Sequence, residues 1–540
     1  MKGFEETVDA RLSRRNFLKG AGVLTGSAAV AAMAGFTPTG VAQAAQVTDA
    51  SGVEWEAEAD IIICGGGGGL LAACDAADAG NEVILLEKSS VVGGESCVNE
   101  GWINGAGASV QEAEGVTDDA ETQAADYAMN HAAHINNIDQ ELLAEYCAES
   151  GASIERLIEL GCEYVLAQDT MFITSVPRAH LIQPNASAWA NVLGAAAEDR
   201  GVTILTETPL TSLMQDAEGT IVGVESEGKN YKARKAVILA TGDVSANTRM
   251  KAKFQPDWAQ IDACIPTNTG DGLFAALAVG ADSSFDQFTA VGPCLMYEPR
   301  GSVVVYYQIL KGTIVVNSEG KRFGNEDDTT SLAGLQAAQP DAKAFMIFDS
   351  RVADISWRPD CPTAEINAHM FAGECAELGL LSGIGPAYLD DYLEEGAAVQ
   401  ADTLEELAEL IGVDAAALTE TVATWNAAVT AGVDEEFGRT MTGALQFGPM
   451  VTLEEGPFYA LKMRAPKWMC TEGPNLMVNK DMSVLDVKGE PIERLFACGA
   501  GMMAGTATLY ANTCGDHMGI TAFSARRAAA RANDLTSWEA

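Results

Sequence analysis

Five consecutive glycines, Gly65–Gly69, separate an apolar run, Asp60-Ile-Ile-Ile63, from an alanine-rich stretch, Leu70–Ala79. A second apolar run, Glu82-Val-Ile-Leu-Leu-Glu87, follows and ends in an acid eighteen residues beyond Gly69. The order predicts strand, tight turn, helix and strand. Such a unit can hold a dinucleotide. Glycines let the backbone approach a pyrophosphate, the helix N-terminus faces that anion, and an acid ending the second strand takes the ribose hydroxyls. The spacing does not fit a strict G-x-G-x-x-G: counted from Gly65 the third place is Leu70, and counted back from Gly69 the first is Cys64. A glycine turn in some other α/β unit is the alternative; the complete strand–turn–helix–strand–acid context favours nucleotide binding.

The elements that must position this turn extend over the rest of the chain. Helical stretches are expected around 118–163 and 188–199, strands at Val202–Leu205 and Ile221–Glu225, and a buried strand in Lys235-Ala-Val-Ile-Leu-Ala-Thr-Gly242. Residues of about 284–445 mix strands with two amphipathic helices, near 403–412 and 414–431. Leu495-Phe-Ala-Cys-Gly499 then returns to the buried strand-and-glycine pattern, ahead of a glycine-rich loop to Gly515 and a final helix ending in Arg526-Arg527. The pattern is that of one domain interrupted by another.

The chain has 540 residues, 48% of them hydrophobic, so it can bury a large core and is expected to form more than one domain. Its 76 acids against 33 Lys and Arg give a net charge of −43. That excess argues against nucleic acid and against an anionic membrane face, both of which need clustered cations. The twelve cysteines contain no C-x-x-C pair and no haem-attachment motif, and most are expected to be free core thiols. At the N-terminus, Arg14-Arg15 precede a Gly/Ala-rich apolar run and the small-residue site Ala42-Gln-Ala44. This is the layout of a twin-arginine signal peptide, which exports proteins already folded.

Several motifs, in order, resemble the fumarate reductase/succinate dehydrogenase flavoprotein family. The nucleotide turn leads into Glu87-Lys88, and Gly93-Gly94-Glu95-Ser96 resembles the family's loop against the flavin. Ala240-Thr241-Gly242 resembles its second glycine strand, and Thr269-Gly-Asp271-Gly its T-G-D-G turn. Asn317-Ser-Glu-Gly-Lys-Arg322-Phe-Gly-Asn-Glu326 is similar to its G-K-R-F-x-N-E segment. Phe496-Ala-Cys-Gly499 is similar to its Y-A-x-G-E strand, with Ala500 in place of the acid. The likeness runs from about 58 to 530. It implies FAD, held by Gly65, Gly66, Gly67, Gly69, Glu87, Lys88, Gly93, Gly94, Glu95, Ser96, Thr241, Gly242, Asp271, Gly499 and Gly515. The implied fold is α/β: a Rossmann-like FAD-binding domain in two sequence pieces with an inserted α+β capping domain. It further implies hydride transfer between flavin N5 and an activated carbon–carbon bond.

The departures bear on substrate. The family's dicarboxylate-binding histidines are absent from Gln287-Phe-Thr289 and from Trp468-Met-Cys-Thr471-Glu-Gly473. Asn512 stands where an arginine belongs, and Asp327, Asp328, Thr329 and Thr330 replace the proton-relay arginine after Glu326. Fumarate is therefore rejected as substrate. Tyr510 lies in the loop that should roof the flavin; a tyrosine in the comparable loop of ketosteroid dehydrogenases helps polarise a ketone or move a proton. Tyr510, Glu326 and Arg351 are the candidate catalytic residues, each with a bland alternative: a packed aromatic, a turn brace and a surface arginine. Arg322 reads as structural. Tyr306, Tyr307 and His517 are further candidates near the site, and no metal ligands are assigned.

The expected organisation is a signal peptide over 1–44, a linker over 45–57, the FAD-binding domain over 58–283 and 451–535, and a substrate or capping domain over 284–450. The expected activity is reduction of an activated C=C bond of a small unsaturated substrate, an enone or enoate. Electrons would come from a membrane-anchored cytochrome or quinol-linked donor, since the chain has no haem motif and no second nucleotide fold. Two alternatives stay open: a dehydrogenase inserting the double bond, and a non-catalytic flavin electron carrier. The expected location is the periplasm or the outer face of the cell membrane, with no nucleic-acid partner and no stable membrane insertion after processing.

Overall fold

The computed structural model describes residues 48–97, 99, 101–130, 139–166, 174–184, 186–254, 256, 259, 261–263, 265–284, 289–297, 312–327, 329–356, 389–441, 450–472, 474–502 and 515–538. The expected signal peptide, Gln287, Tyr306, Tyr307, Tyr510 and Asn512 lie outside the described residues.

The first apolar run forms β1 (Ala57–Cys64), and Ile61, Ile62 and Ile63 are fully buried. A strand covered on both faces reads as a continuous apolar run rather than an alternation, which is why this one was legible. The glycine turn leads into α1 (Gly69–Asp78) and then β2 (Val83–Leu86), which pairs with β1 in parallel, Ile62 opposite Ile84. After α2 (Gln140–Glu159) and α3 (Ser187–Asp199) come β3 (Thr203–Leu205), β4 (Ser212–Gln215), β5 (Ile221–Ser226) and β6 (Lys229–Leu239). β6 lies on the other side of β1, Val237 opposite Ile62, and the helix α4 (Asp271–Ala278) follows.

A second sheet then takes over. It holds β7 (Thr289–Tyr297), β8 (Ile314–Asn317), β9 (Ala344–Asp349), β10 (Ala398–Ala401) and β11 (Phe458–Glu472), in the order β7-β11-β9-β8 with β10 also on β11. Between β10 and β11 run α5 (Leu404–Ile411) and α6 (Ala415–Ala431). Their ends follow from local chemistry. Thr403 and Asp414 accept backbone N–H groups as N-caps, while Gly412 and Gly432 close the helices in the left-handed conformation. Ile314–Val316, Met346–Phe348, Leu418, Trp425 and Tyr459–Leu461 fill a core of their own, separate from the one under β1. This sheet runs past residue 450 to Glu472.

The chain then returns to the first sheet with β12 (Ser483–Leu485) and β13 (Pro491–Ala497), and β13 pairs in parallel with β6, Val237 opposite Leu495. The last helix, α7 (Asp516–Asn533), packs on α1 and α2. At their carboxyl ends the parallel strands therefore lie in the order β3-β2-β1-β6-β13. Both chain crossings between the sheets run side by side. Ser284 N–H donates to Asn475 O at 3.0 Å, and Asn475 N–H donates to Ser284 Oγ at 3.2 Å.

A three-stranded sheet, Trp102–Asn104, Ala179–Gln183 and Glu163–Leu166 with the second in the centre, was not foreseen. Strands of three to five residues are too short for a period to show. Beside it Arg178 is buried and forks onto Asp118 at 2.6 and 2.8 Å, with Asp126 at 2.7 Å. Cys64, Cys74, Cys147, Cys162 and Cys498 are buried free thiols, Cys97 is buried with its thiol donating to Gly94 O at 3.2 Å, and burial pushes Cys64 up to about 12. Among the described residues no helix is long and apolar enough to cross a membrane.

Candidate active site

The glycine turn sits at the carboxyl end of β1, outside the parallel sheet, where ligands of open α/β sheets bind. Each glycine there meets a different constraint. Gly65 has φ +104, and a Cβ on it would stand 2.2 Å from Ala240 O. A Cβ on Gly69 would stand 2.9 Å from Ile63 Cγ2 and 3.2 Å from Ala240 Cβ, so Gly69 lets α1 approach the sheet. That role belongs to the last glycine of a dinucleotide turn. The register counted back from Gly69, with Cys64 in first place, is the one the packing supports. Gly67 stands open to Ser96, whose Oγ would be 3.3 Å from an added Cβ, and Trp189 Nε1 donates to Gly67 O at 3.1 Å.

Glu87 closes the far side. Its Oε2 accepts from Gly66 N at 2.8 Å and its Oε1 from Ser89 N at 2.7 Å. Burial raises this carboxyl above its ordinary value, and the hydrogen bonds from Ser89 and Gly66 oppose that shift. Both oxygens keep lone pairs for hydroxyl donors. Lys88 reaches away and donates to Thr267 O (2.8 Å), Thr269 Oγ1 (2.6 Å) and Asp271 Oδ2 (2.8 Å). It thereby ties the end of β2 to the T-G-D-G turn. Asp271 opens α4 behind Gly270, which has φ +87. Thr241 packs against Gly272, where an added Cβ would meet Thr241 Oγ1 at 2.2 Å.

The G-G-E-S segment folds over the same crevice. Gly93 N–H donates to Gly66 O at 3.1 Å, and a Cβ on Gly93, φ +122, would fall 2.6 Å from Cys97 Sγ. Gly94 has φ +49 and nothing near its Cβ position, so only its backbone conformation demands glycine. Ser96 is buried. Glu95 has Oε1 without a partner, and its carboxyl is raised well above the usual range by desolvation and by the neighbouring Asp243; a hydrogen bond from Asn268 acts in the opposite direction. Asn268 Nδ2 also donates to Asp243 Oδ1 at 3.0 Å, under Gly242. Gly499 follows β13 and its N–H donates to Ser524 Oγ at 3.0 Å, while Gly515 packs on Ile103, 2.7 Å from an added Cβ to Ile103 C. The sequence-predicted cofactor residues thus converge from the ends of β1, β2, β6 and β13, from α4 and from the start of α7.

Of the predicted catalytic residues, the two that are described, Glu326 and Arg351, are each held in ion pairs. Glu326 is fully buried in the second core, where its oxygens accept from Arg322 Nε (2.9 Å), Arg322 Nη2 (2.6 Å) and Val315 N (3.1 Å), with Arg439 Nη1 at 3.5 Å. Arg322 also holds Asp434 at 2.9 Å and lies between the Trp425 and Phe437 rings. Arg439 holds Asp327 at 3.0 Å. This places Glu326 as a brace between two loops. Arg351 forks onto Asp349 (3.2 and 2.9 Å) and also donates to Thr452 O. His517 lies in the first turn of α7 and is half-buried. Tyr510 falls outside the described residues. Sequence reasoning missed Trp189 on Gly67 and the buried Asn475; neither stands in a motif.

The cradle fits the adenosine diphosphate part of FAD: backbone stripped of Cβ atoms, a helix start and a carboxylate at the strand end. Residues 60–515 match the family described as FAD binding domain. A fumarate reductase (cytochrome) of Shewanella frigidimarina is 30% identical over 443 residues, 80% of this chain and 69% of that protein. A digoxin reductase of Eggerthella lenta is 27% identical over 580 aligned positions, covering 98% of this chain and 99% of its own. Among solved structures, the open conformation of a flavocytochrome c3 fumarate reductase superposes with a TM-score of 0.71 at 24% identity, over 89% of this chain and 78% of that one. The chain belongs to the FAD-binding flavoprotein family of the fumarate reductase/succinate dehydrogenase type, and it is an FAD-dependent oxidoreductase acting on CH–CH or C=C bonds.

Proposed function

We propose that this chain reduces the activated double bond of a mostly neutral enone or enoate, and not fumarate. One observation carries the reading: the arginines of the second core whose side chains are described are committed. Arg322 holds Glu326 and Asp434, Arg439 holds Asp327, and Arg351 holds Asp349. A dicarboxylate needs cations that are free to pair with it. The histidines that would assist are absent from the sequence at 287–289 and 468–473. The digoxin reductase, matched over nearly its whole length, supports a non-dicarboxylate substrate.

In this reading the first sheet holds FAD, which supplies the two-electron step when bound. Glu87 takes the ribose hydroxyls, the glycine backbone meets the pyrophosphate, and Lys88 with Asp271 fixes the wall beside them. The second sheet, over about 284–472, is the cap that closes on substrate and excludes water. Tyr510 polarises the substrate carbonyl or delivers its proton, while Glu326 and Arg351 brace the cap. We further propose that residues 1–44 direct export through the twin-arginine route and that a membrane-anchored cytochrome or quinol-linked donor supplies electrons. The test is to mix viologen-reduced protein anaerobically with unsaturated acids, ketones and steroids while following flavin absorbance. Reoxidation by enones or enoates supports the reading; rapid unaided NADH oxidation would remove the external donor.

A further inference from the structure

The peptide joining Gly67 to Gly68 has no Cβ on either side, so local sterics leave its plane free to rotate. It is nevertheless held. Gly67 O accepts from Leu70 N–H at 3.3 Å, a long bond in the first turn of α1, and from Trp189 Nε1 at 3.1 Å. Trp189 stands in the first turn of α3, 122 residues away in sequence, and is 1% exposed. Filling a core of Ile, Leu and Ala needs no tryptophan; Phe or Leu would serve. What tryptophan adds is a donor at the ring edge, and here that donor goes to the glycine turn.

The consequence is directional. This peptide is trans and planar, so fixing Gly67 O also fixes Gly68 N–H on the opposite edge. Gly68 is the N-cap of α1, where backbone N–H groups have no acceptor inside the helix. Gly67 O points along α1 toward Leu70, so Gly68 N–H points back out of the helix start, the end that favours an anion. The next residue of α3 seats the facing wall. A Cβ on Gly93 would stand 2.8 Å from Ala190 Cβ, and Gly93 N–H donates to Gly66 O at 3.1 Å. Trp189 and Ala190 therefore set the glycine turn and the G-G-E-S segment against one helix start.

We propose that Trp189 is a positioning residue for FAD: its indole N–H locks the Gly67–Gly68 peptide in the orientation that presents Gly68 N–H to the pyrophosphate. This rests on the reading that the glycine backbone meets the pyrophosphate; it does not rest on the substrate. Without the indole donor, a peptide between two glycines has other orientations open to it. FAD must then order that peptide on binding, and affinity falls by the entropy so lost.

The test titrates the full apoprotein with FAD and records the ³¹P resonances of the bound cofactor, for the unaltered chain, Trp189→Phe and Trp189→His. Phe keeps more of the ring volume but has no donor. His keeps less volume, yet its Nε2 occupies the ring position of the indole nitrogen and donates in the matching tautomer. With Phe, the FAD dissociation constant rises about tenfold and a phosphorus resonance moves or broadens. With His, affinity stays within about threefold and the resonances hold, even where the apoprotein melts lower. A packing role gives the reverse order, because the volume removed sets the loss. Phe binding FAD as tightly as His, or leaving both resonances in place, would overturn the proposal. Gly67→Ala separates this from the reading beneath it, since its Cβ comes 3.3 Å from Ser96 Oγ and 3.4 Å from Gly93 O and narrows the crevice. If that variant moves the resonances and Trp189→Phe does not, the turn meets the pyrophosphate and the role of Trp189 alone fails. If neither moves them, the reading of the turn fails with it.

Discussion

Replacing Glu326 with glutamine keeps the shape of the side chain and removes the charge that faces two buried guanidinium groups. Asp434 still pairs with Arg322 and Asp327 with Arg439, so neither cation is left alone. The loss falls on the hydrogen bonds from Arg322 Nε, Arg322 Nη2 and Val315 N, at least one of which turns from donor–acceptor to donor–donor. Removing one partner of a buried pair costs about 3–5 kcal/mol, and the surviving carboxylates put this case near the lower end, about 3 kcal/mol. For the second-sheet unit, about 190 residues over 284–472, unfolding as its own transition, that is a fall in melting temperature of about 6–12 °C. The assay is thermal unfolding of the FAD-loaded protein by far-UV circular dichroism, beside kcat as a function of pH. A brace predicts the stability loss with an unchanged pH profile and a preserved kcat below the melting range. Full stability with a collapsed kcat or a displaced pH profile would make Glu326 a proton carrier and refute the reasoning.

Three further perturbations test other parts of the account. His180 is fully buried and burial lowers its pKa to about 4. The unfolded chain, with an ordinary value of about 6.5, therefore binds the proton first, and stability falls as pH drops from about 6.5 to 4, by about 3 kcal/mol. His180→Leu should remove that increment from the urea-unfolding profile, and an unaltered acid slope would count against it. Gly69→Ala places a Cβ 2.9 Å from Ile63 Cγ2, so α1 must shift off the sheet at a cost of about 1–3 kcal/mol. FAD titration should show affinity weakened about tenfold or more, and unaffected binding would exclude Gly69 as the packing glycine. Tyr510→Phe should lower kcat for an enone about 100-fold with a much smaller change in KM; equal activity would leave Tyr510 as a packed aromatic.

The parts legible in sequence are those with short-range physical causes. Ile61–Ile63 are buried on both sheet faces and so write a continuous apolar run, and Thr403, Gly412, Asp414 and Gly432 mark helix ends by side-chain capping and left-handed backbone. The glycines of the crevice were legible for the same reason: Gly65, Gly69 and Gly93 are glycine because a Cβ would collide there. What could not be read depends on contacts between distant segments. Asp434 lies 112 residues from Arg322, and their pairing fixes how Glu326 sits. The extent of the second sheet was hidden likewise, because Phe458–Glu472 joins it through pairing with Thr289–Tyr297, Ala344–Asp349 and Ala398–Ala401, all distant in sequence. Asn475 gave no signal because an isolated asparagine after Gly-Pro reads as a turn residue.

The most direct measurement compares two oxidants on one enzyme. FAD-loaded protein, reduced anaerobically, is mixed in a stopped-flow instrument with fumarate and, separately, with a cyclic α,β-unsaturated ketone, and flavin reoxidation is followed at equal concentrations. Reoxidation by the ketone is expected to be at least about 100-fold faster, the equivalent of about 2.7 kcal/mol in barrier. Reoxidation by fumarate at an equal or greater rate would contradict it, and would mean that cations outside the described arginines hold a dicarboxylate after all.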